Sequence, residues 1–233
     1  MVEIKGLEKF APKDFPGHLA ATVFLGGCNF RCPYCHNADL AARPETLATL
    51  PADYFMSFLD SRKGWLEGVC VTGGEPLLSP DLEVLLHVIK DRGLLVKLDT
   101  NGSFPARLEA LIHKELIDRV AMDVKAPLER YRELTRSDVD VKDILRSIDI
   151  ICASGLPYVF RTTVVPGLIE ADDLQRIGRI LSGTKVFQIQ QFSPFHDTMD
   201  EGLRGTKPYS REKMEEFAEL LRPHFEEIRI EGA

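Results

Sequence analysis

No stretch of this sequence approaches the roughly 18 consecutive apolar residues of a membrane span. The first segment, MVEIKGLEKFAPKDFPG, scatters charges where a secretory signal would carry an apolar core. These absences predict a cytoplasmic protein with no membrane partner. Basic charge is scarce as well: 29 Lys and Arg against 36 Asp and Glu leave a net charge of -7, and the densest basic stretch is only Arg211 to Lys213. General affinity for nucleic acid or anionic lipid needs a basic surface and is excluded on that ground. Cysteine is sparse and odd in number, five in 233 residues with no even spacing. A disulfide framework is therefore excluded and a reducing compartment expected. There is no repeat of fixed period, no low-complexity segment and no Pro, Ser or Gly-rich linker. One domain over residues 1–233 is expected, with a core at about 18–198 and a C-terminal lid, helix and short strand over 199–233.

What the chain does have is alternation. Short apolar, β-branched runs read as strands at 20–26, 68–73, 94–100, 119–125, 158–165 and 184–192, with a short one, EEIRI, near the C-terminus. Helical patterns separate them, around Asp53 to Arg62, Phe104 to Lys114, Asp172 to Leu181 and Arg211 to Leu221. Ser79 reads as the cap of a further helix with Pro80 at its first position, Leu82, Leu85, Leu86 and Ile89 on one face, and Gly93 as its stop. Asp140 to Gly155 repeats the plan, with Ile144, Ile148, Ile151 and Cys152 on the apolar face. Strand and helix in alternation predict a parallel sheet covered by helices. About six units are too few for an eightfold barrel, which leaves a partial (β/α)6 TIM-like barrel or an open doubly wound sheet. The longest irregular stretch, Ser193 to Ser210, reads as an active-site lid.

Three of the five cysteines fall within VFLGGCNFRCPYCHN, spaced C-x3-C-x2-C as Cys28, Cys32 and Cys35. Thiolates this close, on a loop made compact by Gly26, Gly27 and Pro33, can converge on one metal centre. A structural zinc with His36 as fourth ligand is one reading, but such sites close with two ligand pairs, and no second pair is present. Cys70, mid-strand, and Cys152, on a helix, read as core cysteines. A four-iron cluster on three thiolates explains the missing fourth ligand, since the open iron becomes a place for substrate.

The run CNFRCPYCHN resembles the signature of the radical S-adenosylmethionine (SAM) superfamily. Tyr34 before the third cysteine is typical of it, and the His36-Asn37 that follows resembles the activating enzymes of glycyl radical enzymes. VTGGEP at 71–76 resembles the family's GGEP turn; alone it could be a tight turn before a helix. A third sign is placement. In parallel barrels, functional residues gather beyond the C-terminal strand ends, and here the cysteine loop, Gly73-Gly74-Glu75, Asp99-Thr100-Asn101, Asp123 with Lys125, and His196 follow successive strands, while Arg161 is a charge inside the fifth.

By that resemblance Cys28, Cys32 and Cys35 hold a 4Fe-4S cluster, and LDTNG, MDVK, RTTVVPG and QFSPFH match segments that bind SAM beside it. Tyr34, Asn37, Thr100 and Asn101 belong to that set. Gly73 and Gly74 would admit the methionine part of SAM against bare backbone, Glu75 would receive its ammonium, and Arg161 and His196 would hold its carboxylate and adenosyl part. Asp99 and Asp123 would repel that carboxylate unless a cation lies between them. Lys125 is one candidate; a monovalent cation with Thr100 and Ala121 supplying carbonyls is the other.

The resemblance also implies the reaction: one-electron cleavage of SAM to methionine and a 5'-deoxyadenosyl radical, fed by a low-potential donor such as flavodoxin or ferredoxin. KFAPKDFPGHLAATVFLGGCNFRCPYCHN and the compact length look most like the longer type of anaerobic ribonucleoside-triphosphate reductase activating protein, from about Gly6 to His196. That implies a protein substrate, a glycine of the reductase. The nearest alternative is a pyruvate formate-lyase activating enzyme. A small-molecule radical SAM enzyme such as a 7-carboxy-7-deazaguanine synthase and a zinc-dependent binding module are the readings from other classes.

Overall fold

A computed structural model of the chain describes residues 2–194 and 198–232. Eight strands form one sheet in strict chain order: β1 (Ile4–Glu8), β2 (Ala20–Leu25), β3 (Gly68–Gly73), β4 (Leu95–Thr100), β5 (Arg119–Asp123), β6 (Tyr158–Val164), β7 (Val186–Gln191) and β8 (Glu227–Glu231). β1 pairs antiparallel with β2, and every later pairing is parallel. A doubly wound sheet would reverse its strand order at a switch point. This one does not reverse, and β1 and β8 are its two edges, so the architecture is the partial barrel. β1 escaped the sequence reading because IKGLE lacks the apolar alternation of a buried strand; only Ile4 of its five residues is fully buried.

The helices are α1 (Ala38–Ala42), α2 (Ala52–Ser61), α3 (Leu82–Lys90), α4 (Pro105–His113), α5 (Tyr131–Thr135), α6 (Val141–Ala153), α7 (Ala171–Ile180) and α8 (Arg211–Leu221). Two expectations need correction. Ser79 is not the N-cap of α3: it closes the C-terminal end of a 3-10 turn, Pro76–Leu78, whose first end the Glu75 side chain caps, and α3 begins two residues beyond Pro80, after Asp81. Cys152 is exposed rather than core. On α6 the buried positions are Ile144, Ser147, Ile148 and Ile151; the Ser147 hydroxyl can be buried because it donates to the Gly102 carbonyl at 2.7 Å.

Strand parity decides where charge goes. Val96 and Leu98, Val120 and Met122, Phe160, Phe187 and Ile189 join Leu82, Leu86, Leu108 and Ile144 of the helices in one buried apolar cluster. The alternate positions face the lumen, and charged and polar side chains stand at many of them. In register, Thr22, Cys70, Lys97 and Arg119 make one row across β2 to β5, and Asp123, Arg161, Gln188 and Arg229 another across β5 to β8. A closed barrel fills its lumen with branched apolar side chains; this open one lines it with charge.

Candidate active site

The cysteine loop leaves β2 and is held by backbone on several sides. Gly27 and Cys28 donate to the carbonyls of Leu40 and Ala41 at the start of the following chain, at 2.8 and 3.1 Å, and Arg31 donates to the Thr135 carbonyl at 2.7 Å. The Arg31 guanidinium folds back onto the carbonyls of Cys28 (2.5 Å) and Phe30 (2.8 Å). From β4, Asn101 reaches the Asn29 side chain at 3.0 Å and lies 3.8 Å from the Cys28 sulfur. Asp200, in the stretch read as a lid, donates its N–H to the Pro33 carbonyl at 2.9 Å and pairs with Arg136 at 2.5 Å. Asp200 is thereby tied to the loop.

Cys28, Cys32 and Cys35 line one cavity of about 260 Å³ at the C-terminal ends of the strands. Tyr34, Asn37, Gly73, Gly74, Asp99, Thr100, Asn101, Asp123 and Lys125 line it too, as the motif positions suggested. Phe30, His36, Ala41, Thr72, Thr163 and Gln190 complete it. Thr72 and Thr163 fall within the VTGGEP and RTTVVPG segments without having been singled out, whereas Ala41 and Gln190 lie outside every motif the sequence offered. His196 lies outside the described residues. Burial pushes the Cys28 and Cys32 thiols up to about 11 and about 12, so as free thiols they stay protonated and a metal must displace those protons. Among the described residues no three His, Cys, Asp or Glu side chains are grouped for a single metal ion. Three thiols lining one cavity are a donor set that fits a four-iron cluster with one iron left open.

Asp99, Asp123 and Lys125 of this lining belong to a chain of alternating charge. Lys97 pairs with Asp99; Arg161 bridges Asp99 at 3.1 Å and Asp123 at 2.8 Å; Lys125 meets Asp123 at 3.0 Å. Burial would raise both carboxyls, but Arg161 with Lys97 holds Asp99 low, and Arg161 with Lys125 holds Asp123 well below the usual range. The repulsion that called for a monovalent cation is therefore already answered by the protein's own cations. Arg161, expected on the SAM carboxylate, is engaged instead by the two aspartates and does not line this cavity.

Glu75 likewise sits behind the site. It is 1% exposed, and its carboxylate accepts from Leu77 N (3.0 Å), Thr100 Oγ1 (2.8 Å) and Asn101 N (2.6 Å), so it braces the β3 and β4 ends rather than facing a ligand. Burial pushes its carboxyl up to about 7, against those three donors. A pKa raised on folding means that the native state holds the proton more tightly than the unfolded chain. Its stabilisation is whole below about pH 4 and is lost as pH rises through about 7. Glu75→Gln is expected to flatten the fall of Tm between about pH 5 and pH 7.5; an unchanged slope in thermal scans would contradict the assignment.

A family model described as the radical SAM superfamily matches residues 22–177. The chain belongs to that superfamily. A protein of Methanocaldococcus jannaschii provisionally named a glycyl-radical enzyme activating enzyme is 30% identical over 97% of this chain and 95% of its own length. The pyruvate formate-lyase-activating enzyme of Streptococcus mutans is 30% identical over 94% and 90%. Among solved structures, SuiB of Streptococcus suis bound to S-adenosylmethionine superposes with TM-score 0.67 at 16% identity over 89% of this chain, which spans about half (48%) of that longer protein. A domain of the Bacteroides vulgatus pyruvate-formate lyase-activating enzyme gives 0.54 at 19% identity, covering 71% of this chain and 99% of the domain. The structural likenesses carry the fold. The sequence relatives make this radical SAM protein an enzyme of the glycyl radical activating kind, whose cofactors are a 4Fe-4S cluster and SAM. Among the described residues no helix is long and apolar enough to cross a membrane.

Proposed function

We propose that this radical SAM enzyme takes a hydrogen atom from the Cα of a glycine in anaerobic ribonucleoside-triphosphate reductase, leaving a glycyl radical there and 5'-deoxyadenosine in the cavity. The observation that carries the reading is the meeting of three thiols and a charged wall around one cavity at the strand ends. In this reading Cys28, Cys32 and Cys35 hold the cluster, which when bound supplies the electron for cleaving SAM, refilled by a flavodoxin or ferredoxin. Lys125 is the cation nearest to hand for the SAM carboxylate: its ammonium lines the cavity, Asp123 keeps it charged despite burial, and its backbone is fixed by Tyr34 and Tyr131 through hydrogen bonds of 3.3 Å. Asn37 and the Gly73-Gly74 edge form the adjoining wall. Arg161 acts at one remove, as a positioning residue that sets Asp99 and Asp123.

Pyruvate formate-lyase is the second reading for the partner, favoured by the name of the Streptococcus mutans relative and its near full-length match. The reconstituted protein, dithionite and SAM are mixed anaerobically with each purified partner. The expected result is a glycyl radical doublet by electron paramagnetic resonance with the reductase, and deuterium in 5'-deoxyadenosine when its glycines carry deuterium at Cα. A doublet with the lyase alone would move the assignment to the second reading. SAM cleavage with neither radical would overturn both.

A further inference from the structure

Below the candidate active site the lumen continues into a larger cavity of about 670 Å³, sharing Asp99 and Gln190 with the one above. Its deep wall is electrically matched: Lys97, 3% exposed, and Arg161 are answered by Asp99 and Asp123. Its mouth is not. Lys13, Arg119, Lys185 and Arg229 stand there. Among the described residues the first three have no carboxylate at ion-pair distance, and Arg229 has only its neighbour on the same strand, Glu227, at 2.7 Å. Arg119 spends one N–H on the Pro16 carbonyl at 2.8 Å. Two carboxylates stand at this end as well, Asp14, which accepts from Thr22 at 2.6 Å, and Glu231, which accepts from the neutral amides of Gln188 and Gln190; both keep their charge, and the four cations outnumber them.

Four cations around one recess are out of keeping with a chain of net charge -7. Most of its other arginines stand against a carboxylate. Burial, then the like charge of Arg229, hold the Arg119 guanidinium below its ordinary pKa, so the two repel each other across the mouth. Low-dielectric walls focus such a field, and a guanidinium with unused donors is the group that matches phosphate oxygens bidentately.

We propose that this lower cavity binds a small phosphate-bearing anion between Arg119, Lys185, Arg229 and Lys13, at a site distinct from that of SAM. The inference stands whichever partner enzyme is activated. Free pyrophosphate and a nucleoside diphosphate share the chemistry that these cations recognise. Calorimetric titration of the reconstituted, SAM-saturated protein with inorganic pyrophosphate and, separately, with ADP tests it. Saturable binding that weakens as salt is raised is expected, and a drop of about tenfold or more in Arg119→Gln/Lys185→Gln. Tighter binding of ADP assigns a nucleotide, tighter binding of pyrophosphate the free anion, and both support the site. Should the double variant fold poorly, Lys185→Gln alone, at an exposed position, is expected to weaken binding several-fold. No saturable binding of either probe to the wild type, or equal binding by a folded variant, would overturn the proposal.

Discussion

Alanine at Cys28, Cys32 or Cys35 is expected to leave protein that retains almost no iron or sulfide after anaerobic reconstitution and cleaves no SAM under dithionite. Alanine at Cys70 is expected to leave both intact. The contrast follows from position. The three loop thiols share a cavity, and removing one leaves two, too few to retain a cluster that must also keep an iron open. Cys70 faces the lumen one layer down, 3.5 Å from the Lys97 ammonium and 3.6 Å from an Asp99 carboxylate oxygen. Burial drives its thiol far above the ordinary range, so it is a neutral packing group. Its truncation should cost about 1–3 kcal/mol of stability, and exposed Cys152 less than about 0.5 kcal/mol. Iron content read beside Tm separates the cases. A Cys70→Ala protein without cluster beside a Cys35→Ala protein with one would mean that the ligand set is wrong.

The parts legible in the sequence were those written in local chemistry. Strands β2 to β7 announced themselves because the face packed against the helices is filled by apolar, often β-branched residues, and the rim residues because polar side chains at strand ends interrupt those runs. What stayed hidden depends on pairing across the chain. Arg161 looked like a free cation because its two partners lie 62 and 38 residues away. Glu75 looked like a ligand group because nothing in GGEP says that Thr100 and Asn101 will supply its donors. The cation mouth of the lower cavity is assembled from the β1–β2 loop and from β5, β7 and β8 ends, a juxtaposition that only the closing curve of the sheet creates. Cys152 misled for a different reason: helical periodicity assigns a face to within about one residue, and it stands next to the buried Ile151 at the edge of that face.

Gly74→Ala is expected to lose the cluster with all three cysteines in place. A Cβ there would lie 1.9 Å from the Gly27 carbonyl oxygen and 2.6 Å from its carbon. Both are backbone atoms, and that same oxygen accepts the Glu75 N–H at 2.8 Å, so neither can swing aside as a flexible side chain would. The GGEP turn and the cysteine loop are thus one packed unit, and the glycines serve this contact whatever they offer to SAM. Relief requires the loop to shift with Cys28, the residue after Gly27. The expected cost is about 4 kcal/mol or more, read as a large fall in Tm, with iron content below about a tenth of wild type. Gly167→Ala is the control: its φ of +80° strains any side chain, yet nothing lies within 4 Å. It should cost only about 1–2 kcal/mol and keep its iron. If Gly74→Ala assembled a full cluster at wild-type Tm, the turn and the loop would be independent, and the placing of the three thiols would need another cause.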